Sequence, residues 1–170
     1  MKLTINKSIA VIIILFTSFS SYQAQAQEKG WVSGNSFNVA FPVGNMEAYS
    51  HGFGVYGNFD YNFSEFLAAR FDLGWNDFSG PEKTWIDMNN NVHTSHPNMS
   101  VWEFSAGMRA KISIVYAEVR GGYYSGINHW GYTPAVGLRL GKFDLQANFN
   151  IVEDYHWGAI RLAYYYGGKK

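Results

Sequence analysis

In the stretch Trp102-Glu103-Phe104-Ser105-Ala106-Gly107-Met108-Arg109-Ala110-Lys111-Ile112, every even position is apolar and every odd one is polar or glycine. A period of two puts Trp102, Phe104, Ala106, Met108, Ala110 and Ile112 on one side of a strand and Glu103, Ser105, Gly107 and Arg109 on the other. The first face requires an apolar neighbour, and the second carries charges that require partners. Which face lies inside therefore decides the fold.

Working outward from this stretch, seven more segments read as strands. Phe37, Val39 and Phe41 mark one over Gly34 to Phe41. Phe53, Val55, Phe59 and Tyr61 mark the next, followed by Leu67, Ala69, Phe71, Leu73 and Trp75. Beyond the Trp102 strand come Val115, Ala117, Val119 and Tyr123, then Val136, Leu138 and Leu140. Phe143, Leu145, Ala147, Phe149 and Ile151 precede a last strand with Ile160, Leu162, Tyr164 and Tyr166. The even-numbered connections are short (Asn62 to Glu65, the turn near Ser113, Gly141-Lys142). Most odd-numbered ones are longer: Pro42 to His51, about Asn76 to Ser100, Ser125 to Gly131, and Val152 to His156. Loops sorted by side are expected of an up-and-down barrel in a membrane.

Two arrangements share this alternation. A soluble periplasmic ligand-binding barrel would turn its apolar face inward, and a membrane barrel would turn it to lipid. Charge type separates them. All five arginines, Arg70, Arg109, Arg120, Arg139 and Arg161, occupy the polar faces. Asp60, Asp72, Glu103, Glu118 and Asp144 stand on the same faces, while Lys111 and Lys142 lie by turns. A water-washed surface would favour lysine. Arginine, with its planar and weakly hydrated fork, suits a buried network with carboxylates. Aromatic placement points the same way. Trp75, Trp102, Trp130 and Trp157 fall near one rim, and Tyr61, Phe63, Phe66, Phe143, Tyr164 and Tyr166 near the other, as two membrane-interface girdles would. The expected fold is all-β: an eight-stranded antiparallel up-and-down transmembrane β-barrel.

The first residues read as an export signal. Lys2 and Lys7 precede the apolar run Ile9 to Phe16, and Ala24-Gln25-Ala26 is a small-x-small cleavage site. Residues 1–26 are then a signal peptide and residues 27–170 the barrel domain. Two lysines leave with the signal, so the mature chain carries 11 basic and 13 acidic side chains. That balance argues against nucleic acid as a partner. The chain has no cysteine, which excludes disulfides, thiolate metal sites and a lipidated N-terminal cysteine.

The segments Gly34-Asn35-Ser36-Phe37-Asn38-Val39-Ala40-Phe41-Pro42 and Gly52-Phe53-Gly54-Val55-Tyr56-Gly57-Asn58-Phe59-Asp60-Tyr61 resemble strands of the small outer-membrane β-barrels of the OmpA/OmpX type, porin-like in fold. Ala159-Ile160-Arg161-Leu162-Ala163-Tyr164-Tyr165-Tyr166 resembles the C-terminal signal read by the outer-membrane assembly machinery, although Gly167-Gly168-Lys169-Lys170 follows it. The resemblance implies a location in the outer membrane of a Gram-negative cell, in contact with the lipid bilayer and lipopolysaccharide. It names neither a surface partner nor a solute.

In such a barrel the lumen is just wide enough for side chains to fill it. Tyr56, Tyr116, Asn38, Asn58, Gln146 and Asn148 join the ten charges there. The expected role is structural or surface-interactive, through the outer loops, without cofactor or catalysis. The alternative is a narrow porin-like channel. His51, His93, His96, His129 and His156 all fall in outer loops or at their edges, and could in principle bind a divalent metal, but their spacing matches no metal motif. Ser95, His93, His96 and Glu103 supply the residue types of a lipid-modifying enzyme without any nucleophile motif. The longest gap holds Trp85, Ile86 and Met88 amid polar residues, suiting either a contact surface or a plain excursion.

Overall fold

The computed structural model describes residues 30–88, 90–95 and 97–166. The export signal (residues 1–26), His96 and the 167–170 tail lie outside the described residues. Among the described residues ten strands follow one another: β1 (Gly30–Gly44), β2 (Gly52–Asn62), β3 (Leu67–Phe78), β4 (Lys83–Ile86), β5 (Val92–Ser95), β6 (Met99–Ile112), β7 (Val115–Ser125), β8 (His129–Leu140), β9 (Phe143–Val152) and β10 (Tyr155–Tyr166). Eight of them close a barrel in the order β1-β2-β3-β6-β7-β8-β9-β10, and β10 returns to β1. Every pairing is antiparallel. At the closing seam Phe37 stands opposite Leu162 on one side and Val55 on the other, so apolar residues meet apolar residues around the wall. Closure leaves none of these eight strands with an open edge.

Three features depart from the expectation. The strands run longer than the alternation alone indicates, β1 spanning Gly30–Gly44 rather than starting at Gly34, because ladders on both sides recruit flanking residues. The long excursion after β3 is not plain loop. It carries the β4–β5 hairpin, with Trp85 opposite His93 and Ile86 opposite Val92, a sequence rich in β-branched and aromatic residues. The connections at 126–128 and 153–154 are tight turns, not long loops. Gly126, Asn128 and Glu153 adopt positive φ there, which lets the chain reverse within a few residues. Only 45–51 and 79–98 are long on the outer side, so the loop asymmetry is weaker than read from the sequence.

The apolar face of β6 runs from Trp102 to Ile112. Ten steps of roughly 3.3 Å, tilted by about 40°, span roughly 25 Å along the barrel axis. That is the height of the apolar band of an outer-membrane barrel. Inside, glycines make room for the largest lumenal rings. A Cβ at Gly74 would fall on the Tyr56 ring, and one at Gly137 on the Tyr116 ring.

Candidate functional site

The alternation resolves into an outside and an inside of opposite polarity. Phe104, Met108, Val119, Val136, Leu145, Ile160 and Leu162 point outward and are exposed. Arg70, Arg109, Arg120 and Arg161 point inward and are wholly buried, and Arg139, near the end opposite the hairpin, is 20% exposed. In water each outward Leu or Phe would forgo about 1.5–3 kcal/mol of burial, while five guanidinium groups would lie in the interior. In hydrocarbon both choices become favourable. The fold is that of a small transmembrane β-barrel.

The lumen is built around the carboxylates. Asp72 accepts from Arg70 Nε (2.9 Å), from Arg161 Nη1 (2.5 Å), from Arg120 Nη1 and from Asn58 Nδ2 (2.8 Å). Nearer the opposite end, Asp60 Oδ2 lies 3.2 Å from Arg109 and 3.0 Å from Arg139. Glu118 accepts from Arg109 Nε at 2.7 Å and lies 3.0 Å from Arg120 Nε. Asp144 takes Arg109 Nη1 at 3.0 Å and the Tyr116 hydroxyl. Glu103 accepts from Tyr56 Oη (3.0 Å) and Ser105 Oγ (2.7 Å), with Arg120 at 3.6 Å and Arg161 at 4.0 Å. All ten charges named from the sequence therefore meet in one neutral lattice. Tyrosine rings lie against it: the guanidinium carbons of Arg161, Arg109 and Arg139 sit 3.7, 3.9 and 3.8 Å from the centroids of Tyr56, Tyr116 and Tyr165. Such cation–π contacts gain strength where water is excluded.

Above the lattice, the outer mouth is closed by an apolar stopper. Trp157 is 0% exposed and meets Phe78 and Tyr124 edge-on, at 5.5 and 5.6 Å between ring centroids. Met46, from the loop after β1, is buried among the same residues with Val101 and Val152. Below it, Tyr124, Thr133 and Asn150 form a hydrogen-bonded tier that hands over to the charges. Trp157 is thus not a girdle residue, as expected from the sequence, but a lumenal one. It lies four residues before Arg161 on β10, an even spacing that puts both on the inner face. That parity was readable in the sequence. The stopper as a whole was not, since Met46, Phe78 and Val101 come from separate segments.

The remaining girdle residues face outward. Trp75 is partly exposed and Trp102 exposed near the outer rim, and Trp130, 75% exposed, packs against Tyr123 at 5.6 Å. Tyr164 and Tyr166 sit at the opposite rim, 5.3 Å apart, and Tyr166 accepts from Asn35 Nδ2. Trp31, which sequence reasoning missed, joins that belt against Tyr61 at 5.1 Å and Phe71 at 6.1 Å. Its signal was a lone tryptophan just before the first alternating run.

Among the described histidines, His51 and His93 stand apart, while His129 and His156 both meet Glu153. His51 packs edge-on to Phe53, and His93 lies on the hairpin beside Asp87 (3.1 Å). His129 Nε2 is 2.7 Å from Glu153 Oε2, and His156 Nε2 is 2.9 Å from the Glu153 carbonyl oxygen. Among the described residues no three His, Asp or Glu side chains form a group able to hold a metal ion. The enzyme constellation is split as well: Glu103 is buried in the lumen, while Ser95 and His93 stand on β5, outside the barrel wall.

No family model and no curated protein matches the chain. Among solved structures it is similar to a de novo designed transmembrane β-barrel (19% identity over 83% of this chain and 99% of that one, TM-score 0.47). It is similar to Ail, the attachment invasion locus protein of Yersinia pestis (12% identity, 82% and 99%, TM-score 0.47). The β domain of the Bordetella autotransporter BrkA matches at 12% identity, over 84% of this chain and 69% of that one, with a TM-score of 0.41.

Proposed function

We propose that this chain is an integral outer-membrane barrel that acts through its outer surface, neither conducting solutes nor catalysing a reaction. The observation that carries this reading is the filled lumen. An apolar stopper caps a neutral lattice of arginines and carboxylates, so an ion entering from outside would meet Trp157, Phe78 and Met46 before reaching the charged lattice. Moving a charge past such a layer costs several kcal/mol. The exposed features that remain are the apolar wall, which suits a lipid and lipopolysaccharide bilayer, and the β4–β5 hairpin, which carries Trp85, Ile86, Met88 and Val92 on the outer side. Large apolar side chains left to water beyond the membrane band favour contact with a partner. Insertion would pass through the outer-membrane assembly machinery, with β10 as its recognition strand.

Fractionation and heat-modifiable gel migration test the membrane assignment: the protein should partition with outer membranes and migrate differently before and after boiling. Recovery in the periplasmic wash would refute it. Planar-bilayer recording tests the sealed lumen, and steady single-channel openings would refute that part. An altered envelope lipid profile on expression would refute the non-catalytic role.

A further inference from the structure

The β4–β5 hairpin is a built arm. Its two strands pair with each other and not with the barrel. The neck is pinched where Gly80 passes against the Pro97 carbonyl, leaving no space for a Cβ. Asp77 ties the base, accepting from Asn98 Nδ2 at 3.0 Å and Ser100 Oγ at 2.6 Å. At the tip, the Asp87 carboxylate accepts from the Asn91 backbone N–H (2.9 Å) and Nδ2 (3.1 Å), and the Asn90 N–H donates to the Asp87 carbonyl at 3.0 Å. A two-stranded ribbon is marginal by itself, and these ties hold it in one shape.

The arm presents a stacked aromatic pair. Trp85 and His93 stand opposite each other with ring planes 18° from parallel and centroids 5.5 Å apart, and half of Trp85 is open to solvent. Exposed Lys83 and the half-exposed Ser95 share that face. Tryptophan offers a large rigid surface that loses little conformational freedom on binding. The apolar side chains Ile86 and Val92 lie on the reverse face, so the exposed apolar area of the ribbon is divided between its two sides. At the tip the exposed Met88 is flanked by polar Asp87, Asn90 and Asn91, whose desolvation opposes burial in a second bilayer.

We propose that this hairpin binds uncharged saccharide chains, with a sugar ring laid on the Trp85 face. This rests on the surface-interaction reading above and names its partner class. The C–H face of a pyranose is flat and apolar and matches an indole, and its hydroxyls pair with neighbouring hydroxyl and amide groups. Charge selects within the class. The outer connections carry Glu47, Glu82, Asp87, Glu153 and Asp154 against Lys83. Although Lys83 stands on the Trp85 face, the net negative sign of the outer connections together disfavours the approach of sulfated and phosphorylated chains and leaves neutral ones unaffected.

The test is calorimetric titration of the full chain, folded in detergent, with maltoheptaose and chitotetraose, and with a sulfated oligosaccharide for comparison. At least one neutral probe should bind, Trp85→Ala should weaken it tenfold or more, and Trp85→Phe should retain part of the affinity. Heat-modifiable migration of each variant shows whether the barrel is intact. Tighter binding of the sulfated probe, no binding of either neutral probe at millimolar concentration, or an unchanged affinity in Trp85→Ala would each overturn the proposal. Adhesion of cells displaying the protein separates the two readings. Hairpin-dependent adhesion to protein-coated surfaces alone overturns the saccharide assignment and leaves the surface role standing. Adhesion unaffected by removing the hairpin overturns both.

Discussion

Replacing Asp72 by asparagine tests the lumenal lattice most directly. The carboxylate is wholly surrounded by donors: Arg70 Nε and Asn58 Nδ2 address Oδ1, while Arg120 and Arg161 address Oδ2. An asparagine amide has one acceptor end and one donor end. Whichever way it turns, its NH2 group faces two hydrogen-bond donors, and the lumen is left with one uncompensated positive charge. Breaking a buried ion pair by removing one partner costs about 3–5 kcal/mol. At about 1.4 kcal/mol per decade, the unfolding equilibrium should shift by roughly two to nearly four orders of magnitude. Equilibrium urea unfolding of the purified barrel, followed by tryptophan fluorescence and by gel mobility, measures this. Adding Arg161→Met to Asp72→Asn removes one of the stranded cations, and the pair should show a coupling of about 0.5–3 kcal/mol. If Asp72→Asn unfolds within about 1 kcal/mol of the wild type, the carboxylate is not the hub of a dry lattice and the inside-out reasoning fails.

The wall should respond by depth. Val119→Arg, midway along β7 on the outer face, should cost about 2–4 kcal/mol of bilayer stability, whereas Leu140→Arg at the end of β8 should cost about 0–1 kcal/mol; equal costs in liposome unfolding would contradict the assigned membrane span. Trp157→Ala should lose about 3–5 kcal/mol, the scale for truncating a buried aromatic, and a loss below about 1 kcal/mol would show that the stopper is loosely packed. Replacing residues 82–96 with a short turn should change urea unfolding of the barrel by less than about 0.5 kcal/mol, because the hairpin strands pair only with each other. A larger change would mean that the arm braces the wall.

The residues that share a face were legible in the chain itself. Alternation is local, and each strand states its two faces without reference to any other strand. The arginine-rich polar face and the apolar face of Trp102 to Ile112 also identified the solvent, since buried arginines with matched carboxylates suit an enclosed lumen and not a wet surface. Trp157 shows how far such reading goes. Its spacing from Arg161 placed it inside, yet its chemistry suggested the membrane belt, and local pattern could not weigh one against the other. The stopper that settles its place gathers Met46, Phe78, Val101 and Tyr124 from segments far apart in sequence.

Tertiary structure alone decided who pairs with whom. Asp72 on β3 meets Arg120 on β7 and Arg161 on β10, 48 and 89 residues away, because wall curvature and strand stagger bring those positions to one height in the lumen. Alternation places a charge on the inner face but not at a depth. The tight turns at 126–128 and 153–154 had a related cause. Gly126 and Asn128 are residue types that favour left-handed backbone and so signal the first turn, whereas Glu153 does not announce the second, and ladder closure on both sides holds it there. Local periodicity thus determined inside and outside, and barrel closure determined depth, partners and the seal.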